Sequence, residues 1–326
     1  MAAPSGFSLI HQHEDAQQRL SAWRQNVGAP IALDVVPSGR RQGDQASLLV
    51  LSWNVWIGRG RLREVVSRIR NGDYQDQGAD PDLPLVVLLQ EANRSDATVP
   101  PVSSGQSGRI LVAQTGPQED VVETAHHLGL SLRYAPSMRN GGLPSDRGNA
   151  ILSSLTLDDA HAFELPLVLQ RRVAVTGRLT LGGHALRLVS AHFDPRGPPG
   201  PQWFGATGRE LQARHLVASV PDDTVVLGAD LNLGRGRYEP AWRLLEENGF
   251  TFEVPPSTPP WRHTFHALPR LVLDYVLVRN GRSAVRRAVV RRLDEHPLDR
   301  GARVFGSDHH PLLARLDLQP TRTTDE

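Results

Sequence analysis

Short apolar runs of strand length recur along the chain without a helix between each pair, and this pattern limits the architectures open to it. Residues 47–55, 85–90, 149–154, 173–181, 184–193, 225–229, 272–279, 285–292 and 312–318 read as strands, with Gly182-Gly183 as a hairpin turn. Helical spacing appears at Leu62, Val65, Val66 and Ile69, again at Val121, Val122, Ala125 and Leu128, and over residues 240–247. Strict alternation of strand and helix would build a doubly wound parallel sheet. The order found here suits two packed sheets with helices outside. Residues 1–45 read as an appendage, with a helix over residues 13–26 and a polar Gly/Arg-rich linker. The main domain is expected over residues 46–318, followed by a polar tail at 319–326.

Composition narrows the chemistry. The chain has 326 residues and no cysteine, so any metal must sit on oxygen and imidazole ligands. A net charge of +1 argues against a protein that binds nucleic acid through overall positive charge. All 36 basic residues are arginine, so arginine abundance alone says little about phosphate binding. No run approaches the roughly 20 apolar residues of a membrane span. The first residues, MAAPSGFSLI, lack the basic and apolar regions of a signal peptide, so a cytoplasmic protein is expected.

Five strands end in polar residues out of keeping with their apolar bodies. They are SWNV (52–55), LLQE (88–91), SAHFD (190–194), GADLN (228–232) and LDYVL (273–277), and SDHHP (307–311) precedes the last strand. A hard cation such as Mg²⁺ takes oxygen ligands. Glu91 and Asp308 offer carboxylates and Asn54 a carbonyl. Hydrolysis needs a group to orient or deprotonate water, and Asp230 is the candidate. A phosphoryl centre gains negative charge under attack, and His192, His309 and Asn232 can donate hydrogen bonds to it. Each residue also has an ordinary reading: Glu91 as a strand-end charge, Asp230 to Asn232 as a turn, His192 as a core histidine, His309-His310 as a solvated pair. Asp274 inside an apolar strand resists such a reading, because burying a carboxylate without a partner is costly.

Taken in order, with GNAILS (148–153) as a seventh, these segments resemble the endonuclease/exonuclease/phosphatase superfamily, or DNase-I-like fold, over roughly residues 46–318. That superfamily includes abasic-site endonucleases, secreted DNases, inositol polyphosphate 5-phosphatases and bacterial sphingomyelinases. The resemblance implies an α+β fold, a four-layer αββα sandwich of two mixed, mainly antiparallel sheets flanked by helices. It implies a hydrolase of phosphate esters that uses Mg²⁺ or Mn²⁺. By the same resemblance Asn54 and Glu91 hold the metal with Asp308 close by, and Asp230 activates or positions water. Asn232 contacts the scissile phosphate, Asp274 pairs with His309 and favours its charged form, and His192 faces the phosphate from the other side. Abasic-site endonucleases tend to carry Tyr at the position of His192, so the pattern here is closer to the other branches. His310 is expected at the rim, and His263 and His266 as loop residues.

Three arginine-bearing loops are expected around the cleft: Arg59 and Arg61 after SWNV, Arg235 and Arg237 with Tyr238 after GADLN, and Arg139, Asn140 and Arg147 before GNAILS. Arginine grips phosphate bidentately, and glycine lets backbone approach it. The expected substrate-binding residues are Arg59, Arg61, Arg147, Asn149, Arg235 and Arg237. A second arginine set runs from Arg279 to Arg303. The leading expectation is a nuclease hydrolysing phosphodiester bonds with little sequence readout, DNA ahead of RNA. One alternative is a phosphatase or phosphodiesterase for a small or lipid phosphate, with Trp203 and Phe204 in the Pro-rich stretch 198–204 able to touch a base or a lipid. The other is a non-catalytic binding protein on the same fold.

Overall fold

Side-chain alternation explains why the strands are apolar on both faces. Along β3 (Ser47–Asn54), Leu48 and Val50 enter one core while Leu49, Leu51 and Trp53 enter another. A strand covered on both sides reads as an unbroken apolar run. The computed structural model describes residues 7–11, 17–36, 46–101, 116–197, 204–220, 223–252, 263–267, 269–295 and 303–320.

Among the described residues, two seven-stranded mixed sheets face each other. The first has the order β13 (Val285–Arg292), β14 (Leu312–Leu318), β3, β4 (Leu85–Ser95), β6 (Ser145–Ser153), β5 (Ser131–Arg139) and β2 (Ile31–Leu33). The second has β1 (Ser8–Ile10), β7 (Asp158–Glu164), β8 (Val173–Leu181), β9 (His184–His192), β10 (Thr224–Asp230), β12 (Asp274–Asn280) and β11 (Phe250–Thr251). The pairs β3–β4, β9–β10 and β1–β7 are parallel and the rest antiparallel. Helices α2 (Leu62–Arg70) and α3 (Val121–Leu128) bury their apolar faces on the outside of the first sheet. Helices α4 (Ala206–Ser219) and α5 (Pro240–Glu247) do so on the second. The middle core joins the sheets through Val50, Val86, Leu88 and Ile151 on one side and Val175, Leu188, Val226 and Val276 on the other. The four layers are those of the DNase-I-like sandwich.

The segment before Ala46, expected as an appendage, extends both sheets. β1 adds an edge strand beside β7, and β2 adds one beside β5. Between them α1 (Gln17–Arg24) buries Leu20, and Arg24 pairs with the buried carboxylate of Glu164. Of the helix expected over residues 13–26, residues 13–16 lie outside the described residues, as do residues 198–203, with Trp203, and Arg300.

Two glycines mark close approaches that bring the site together. A Cβ on Gly148 would lie 1.9 Å from the Ala135 carbonyl oxygen on β5. One on Gly228 would lie 2.7 Å from Leu88 Cδ1 and Ser52 Oγ across the sandwich, so the sheets close tightly just before the strand ends that matter.

Candidate active site

At one end of the sandwich the middle core turns polar. His192, Asp230 and Asp274 are cross-strand partners at neighbouring ends of β9, β10 and β12. They share strand parity with Leu188, Val226 and Val276, so the row faces the first sheet. Asn54 follows Leu48 and Val50 in the same way and faces the row from β3. Its amide donates to Asp230 Oδ2 at 2.9 Å, and its Oδ1 accepts from the Trp56 N–H at 3.0 Å. Beneath them Gln90 donates to Ser190 Oγ and the Gly228 carbonyl, both at 3.2 Å, joining the sheets under the site.

Glu91 reaches the site through a β-bulge. Leu89 pairs with Ala150 and Ala92 with Gly148, so Gln90 and Glu91 together oppose the single residue Asn149. Glu91 takes φ 53°, in the left-handed region. Trp56, Ile57, Asn232 and Phe305, in the loops around the site, also have φ between 45° and 56°. Each such residue costs on the order of 1–3 kcal/mol, a cost that gathers where side chains are aimed for function.

His309 comes from the turn before β14. Its Nδ1 lies 2.8 Å from Asp274 Oδ2, and its Nε2 lies 3.9 Å from both Asp230 Oδ2 and Asp308 Oδ1. Trp53 Nε1 donates to the His309 carbonyl at 2.8 Å, and Ser307 Oγ donates to the Asn54 carbonyl at 2.7 Å, which pins this turn to β3. Burial opposes charge on His309, yet the carboxylates of Asp274 and Asp230 hold its pKa up to about 10, so the ring is cationic at neutral pH. Asp230 is pushed up to about 7, by burial first and then by the Asp274 charge, with His309 and Asn54 acting the other way. Burial, with help from Glu91, raises Asp308 to about 6 against the pull of His309.

His192 Nε2 stands 3.3 Å from Asp230 Oδ2. Its other nitrogen, Nδ1, lies 3.0 Å from Arg172 Nη1. A guanidinium can only donate, so Nδ1 accepts and the ring proton sits on Nε2, facing the site. Burial, then the charges of Arg172, His309 and Arg147, keep His192 well below its ordinary pKa, so it is a neutral donor. Arg172 was not singled out in the sequence. The only signal is the Arg171-Arg172 pair at the start of an apolar strand. Both are buried, Arg171 on Glu164 and Arg172 on Asp194 and Gln170 as well as His192.

The remaining expected residues divide. Asn232 follows Asp230, its N–H donating to Asp230 Oδ1 at 3.0 Å and its amide to the Phe193 carbonyl at 3.1 Å. Arg147 is buried and donates to Asn140 Oδ1 at 2.8 Å, and Glu91 acts on its charge. Asn149 turns its amide to the Val173 and Ser190 carbonyls of the opposite sheet. Arg61 is held by Glu64 and Glu295, and Arg237 lies over the Trp242 and Phe252 rings. Arg59 stands over Trp56, and Arg235 is exposed. His310, expected at the rim, is instead buried at 1% exposure, and His266 at 7%.

The donor set fits a hard divalent cation. Asp308 Oδ1 is buried without a hydrogen-bond partner among the described residues and feels the charge of Glu91, and Ser307, next to it in the chain, bonds the Asn54 backbone carbonyl. Unpaired buried carboxylate oxygens are costly unless a cation takes them up.

Comparison with solved structures returns the same sandwich at low identity. An endonuclease/exonuclease/phosphatase from Beutenbergia cavernae aligns at TM-score 0.54 and 18% identity, over 84% of this chain and 72% of that one. The human Nocturnin catalytic domain with a bound sulfate anion aligns at 0.52 and 15%, over 84% and 96%. A family protein from Leptotrichia buccalis aligns at 0.52 and 13%, over 84% and 100%. No curated protein matches the chain in sequence. The family model described as Endonuclease/Exonuclease/phosphatase family matches residues 51–309, from β3 to His309. The chain therefore belongs to the Endonuclease/Exonuclease/phosphatase family of metal-dependent phosphoester hydrolases.

Proposed function

We propose that this hydrolase is a nuclease that cleaves DNA phosphodiester bonds with Mg²⁺ or Mn²⁺ and little sequence readout. The observation that carries the reading is the rim beside Asp308. Arg59 and Arg303 place their guanidinium carbons 4.6 and 4.9 Å from the Trp56 ring centroid, on the loop that follows Asn54. Both Arg303 and Asp308 act on the charge of Arg59. Two cations held on an aromatic ring next to the proposed metal-binding carboxylates suit a polyanion.

In this reading Asn54, Glu91 and Asp308 hold the cation, which when bound offsets phosphate charge and favours an attacking hydroxide. Asp230 orients the water and takes its proton, with a pKa near the pH at which a general base works best. Cationic His309 and the Nε2–H of His192 donate to the phosphoryl oxygens as charge builds there. The second amide hydrogen of Asn232 supplies another donor. Asp274 keeps the His309 ring oriented and charged.

A second reading, a phosphodiesterase for a lipid or small phosphate, draws on Phe204 and Tyr238, which are 78% and 80% exposed. The test is cleavage of supercoiled plasmid and single-stranded DNA with Mg²⁺ or Mn²⁺, against EDTA and Asp230→Ala controls, alongside phosphodiester lipid vesicles. Cutting that vanishes in both controls supports the nuclease. Turnover of lipid without cutting replaces it with the second reading. Metal binding with no turnover of any ester points to a binding protein.

A further inference from the structure

One residue past His309, the chain buries a second cluster that the proposed reaction does not use. His263, His266 and His310 each present a ring nitrogen, and the three nitrogens lie within 4.8 Å of one another. The hydrogen bonds decide which atoms face inward. His310 Nδ1 lies 2.9 Å from Asp294 Oδ1 and 3.2 Å from the Leu293 carbonyl. Both oxygens accept, so Nδ1 carries the proton and Nε2 accepts from His266 Nδ1–H at 2.9 Å, a proton that metal binding would release. His263 Nε2 is buried and has no hydrogen-bond partner among the described residues. Asp294 is itself held by Arg292 Nη2 at 2.9 Å, while Arg292 Nη1 donates to the His263 carbonyl at 2.9 Å. An imidazole whose outer N–H is fixed by a carboxylate or carbonyl, so that the lone pair of its other nitrogen points into the cluster, is the usual arrangement of a metal-binding histidine.

We propose that His263, His266 and His310 form a second metal site, one that takes Zn²⁺ rather than the hard cation of the catalytic centre. Three imidazoles suit zinc and other borderline metals, whereas carboxylate and carbonyl oxygens suit Mg²⁺ and Mn²⁺. Tetrahedral zinc with Zn–N of about 2.0–2.1 Å places its ligand nitrogens roughly 3.3 Å apart. The 2.9 Å contact opens slightly to reach that spacing, and the wider separations close by about 1.5 Å at most. Water completes the set, since Asp294 sits on the far edge of the His310 ring. The consequence is structural. The His266 N–H donates to the Asp308 carbonyl at 2.6 Å, the His310 N–H to the Thr264 carbonyl at 2.8 Å, and Phe265 bridges His309. A metal here clamps residues 263–266 against the turn that carries Asp308 and His309.

The experiment strips the full chain with chelator, dialyses it against Zn²⁺ and counts bound metal by mass spectrometry in wild type, Glu91→Gln and His263→Ala. His263 is partly exposed, so its loss leaves the core intact, and circular dichroism checks this. About one zinc per chain is expected to survive Glu91→Gln and to be lost in His263→Ala. Zn²⁺ should raise the thermal midpoint of wild type and Glu91→Gln only. Co²⁺ bound to Glu91→Gln should give the intense visible bands of four-coordinate cobalt. Zinc content unchanged in His263→Ala, no zinc retained by Glu91→Gln, or a pale six-coordinate cobalt spectrum would each overturn the proposal.

Discussion

Arg172 is the residue whose replacement separates positioning from packing. Its guanidinium, 4% exposed, donates to His192 Nδ1, to Asp194 Oδ1 at 3.1 Å and to Gln170 Oε1 at 2.7 Å. Arg172→Met keeps the apolar stem and removes all three bonds. Breaking a buried ion pair costs about 3–5 kcal/mol when the partner is left bare. Asp194 keeps its contacts with the Leu169 and Gln170 N–H groups and Gln212 Nε2, so the lower end, about 3 kcal/mol, is expected by urea unfolding. The catalytic effect has a different origin. Without the guanidinium, the His192 proton can move to Nδ1, and the donor facing Asp230 is lost in that tautomer. Outer partners of this kind are worth about 10–100-fold, so kcat should fall by that factor with little change in KM. The assay pairs kcat with ¹⁵N NMR of the histidine rings, which reports the protonated nitrogen directly. Wild-type His192 protonated at Nδ1, or a folded Arg172→Met enzyme with wild-type kcat, would refute the assignment.

Three further variants test the same geometry. Asp230→Asn should lower kcat by about 10²–10⁴-fold. It should also stabilise the metal-free protein at alkaline pH. Burial and the Asp274 charge raise the folded-state pKa of this carboxyl to about 7, so its stabilising proton is fully present below the ordinary carboxylate range and lost as pH rises through about 7. The stability gap in favour of Asp230→Asn should therefore widen from about pH 5 to about pH 8 in urea melts with chelator. Glu91→Gln should weaken Mg²⁺ binding by about tenfold or more in calorimetry, and an unchanged affinity would remove Glu91 from the ligand set. Replacing Arg59, Arg235 and Arg303 with Gln should reduce the slope of log affinity for DNA against log salt by about 2–3, and an unaltered slope would take these residues off the DNA path.

What was legible in the sequence depended on whether local pattern and burial agreed. β8, β13, β14 and α5 follow their apolar spacing residue for residue. Helix α4 escaped notice because its buried face carries Arg209 and Gln212, which the fold satisfies with Glu239, Asp194 and the Pro166 carbonyl. β5 was hidden by Pro136 and by Arg133, polar yet buried. The residues that meet at the site were marked by polar side chains at the ends of apolar strands, a signal that survives without tertiary knowledge. Arg172 had no such mark in a chain where every basic residue is arginine. His310 was expected at the rim because the resembled pattern needs only the first histidine after Asp308, but the next residue along an extended chain faces the other way and is carried into the interior.

The contacts Asn54–Asp230 and Asp274–His309 each cross from one sheet to the other. The first sheet is completed only when β14 pairs with β3, Leu312 beside Ser52. During synthesis, a chain grown as far as β12 would already contain Asn54, Glu91, His192, Asp230 and Asp274, yet would lack the turn that supplies Asp308 and His309. On the roles proposed above, such a nascent chain lacks a metal ligand and a phosphate donor and should be inactive. On that assignment, pairing of the last two strands is the step that completes the site. By the same assignment, removal of this segment by a protease should abolish activity while most of both sheets keep their partners.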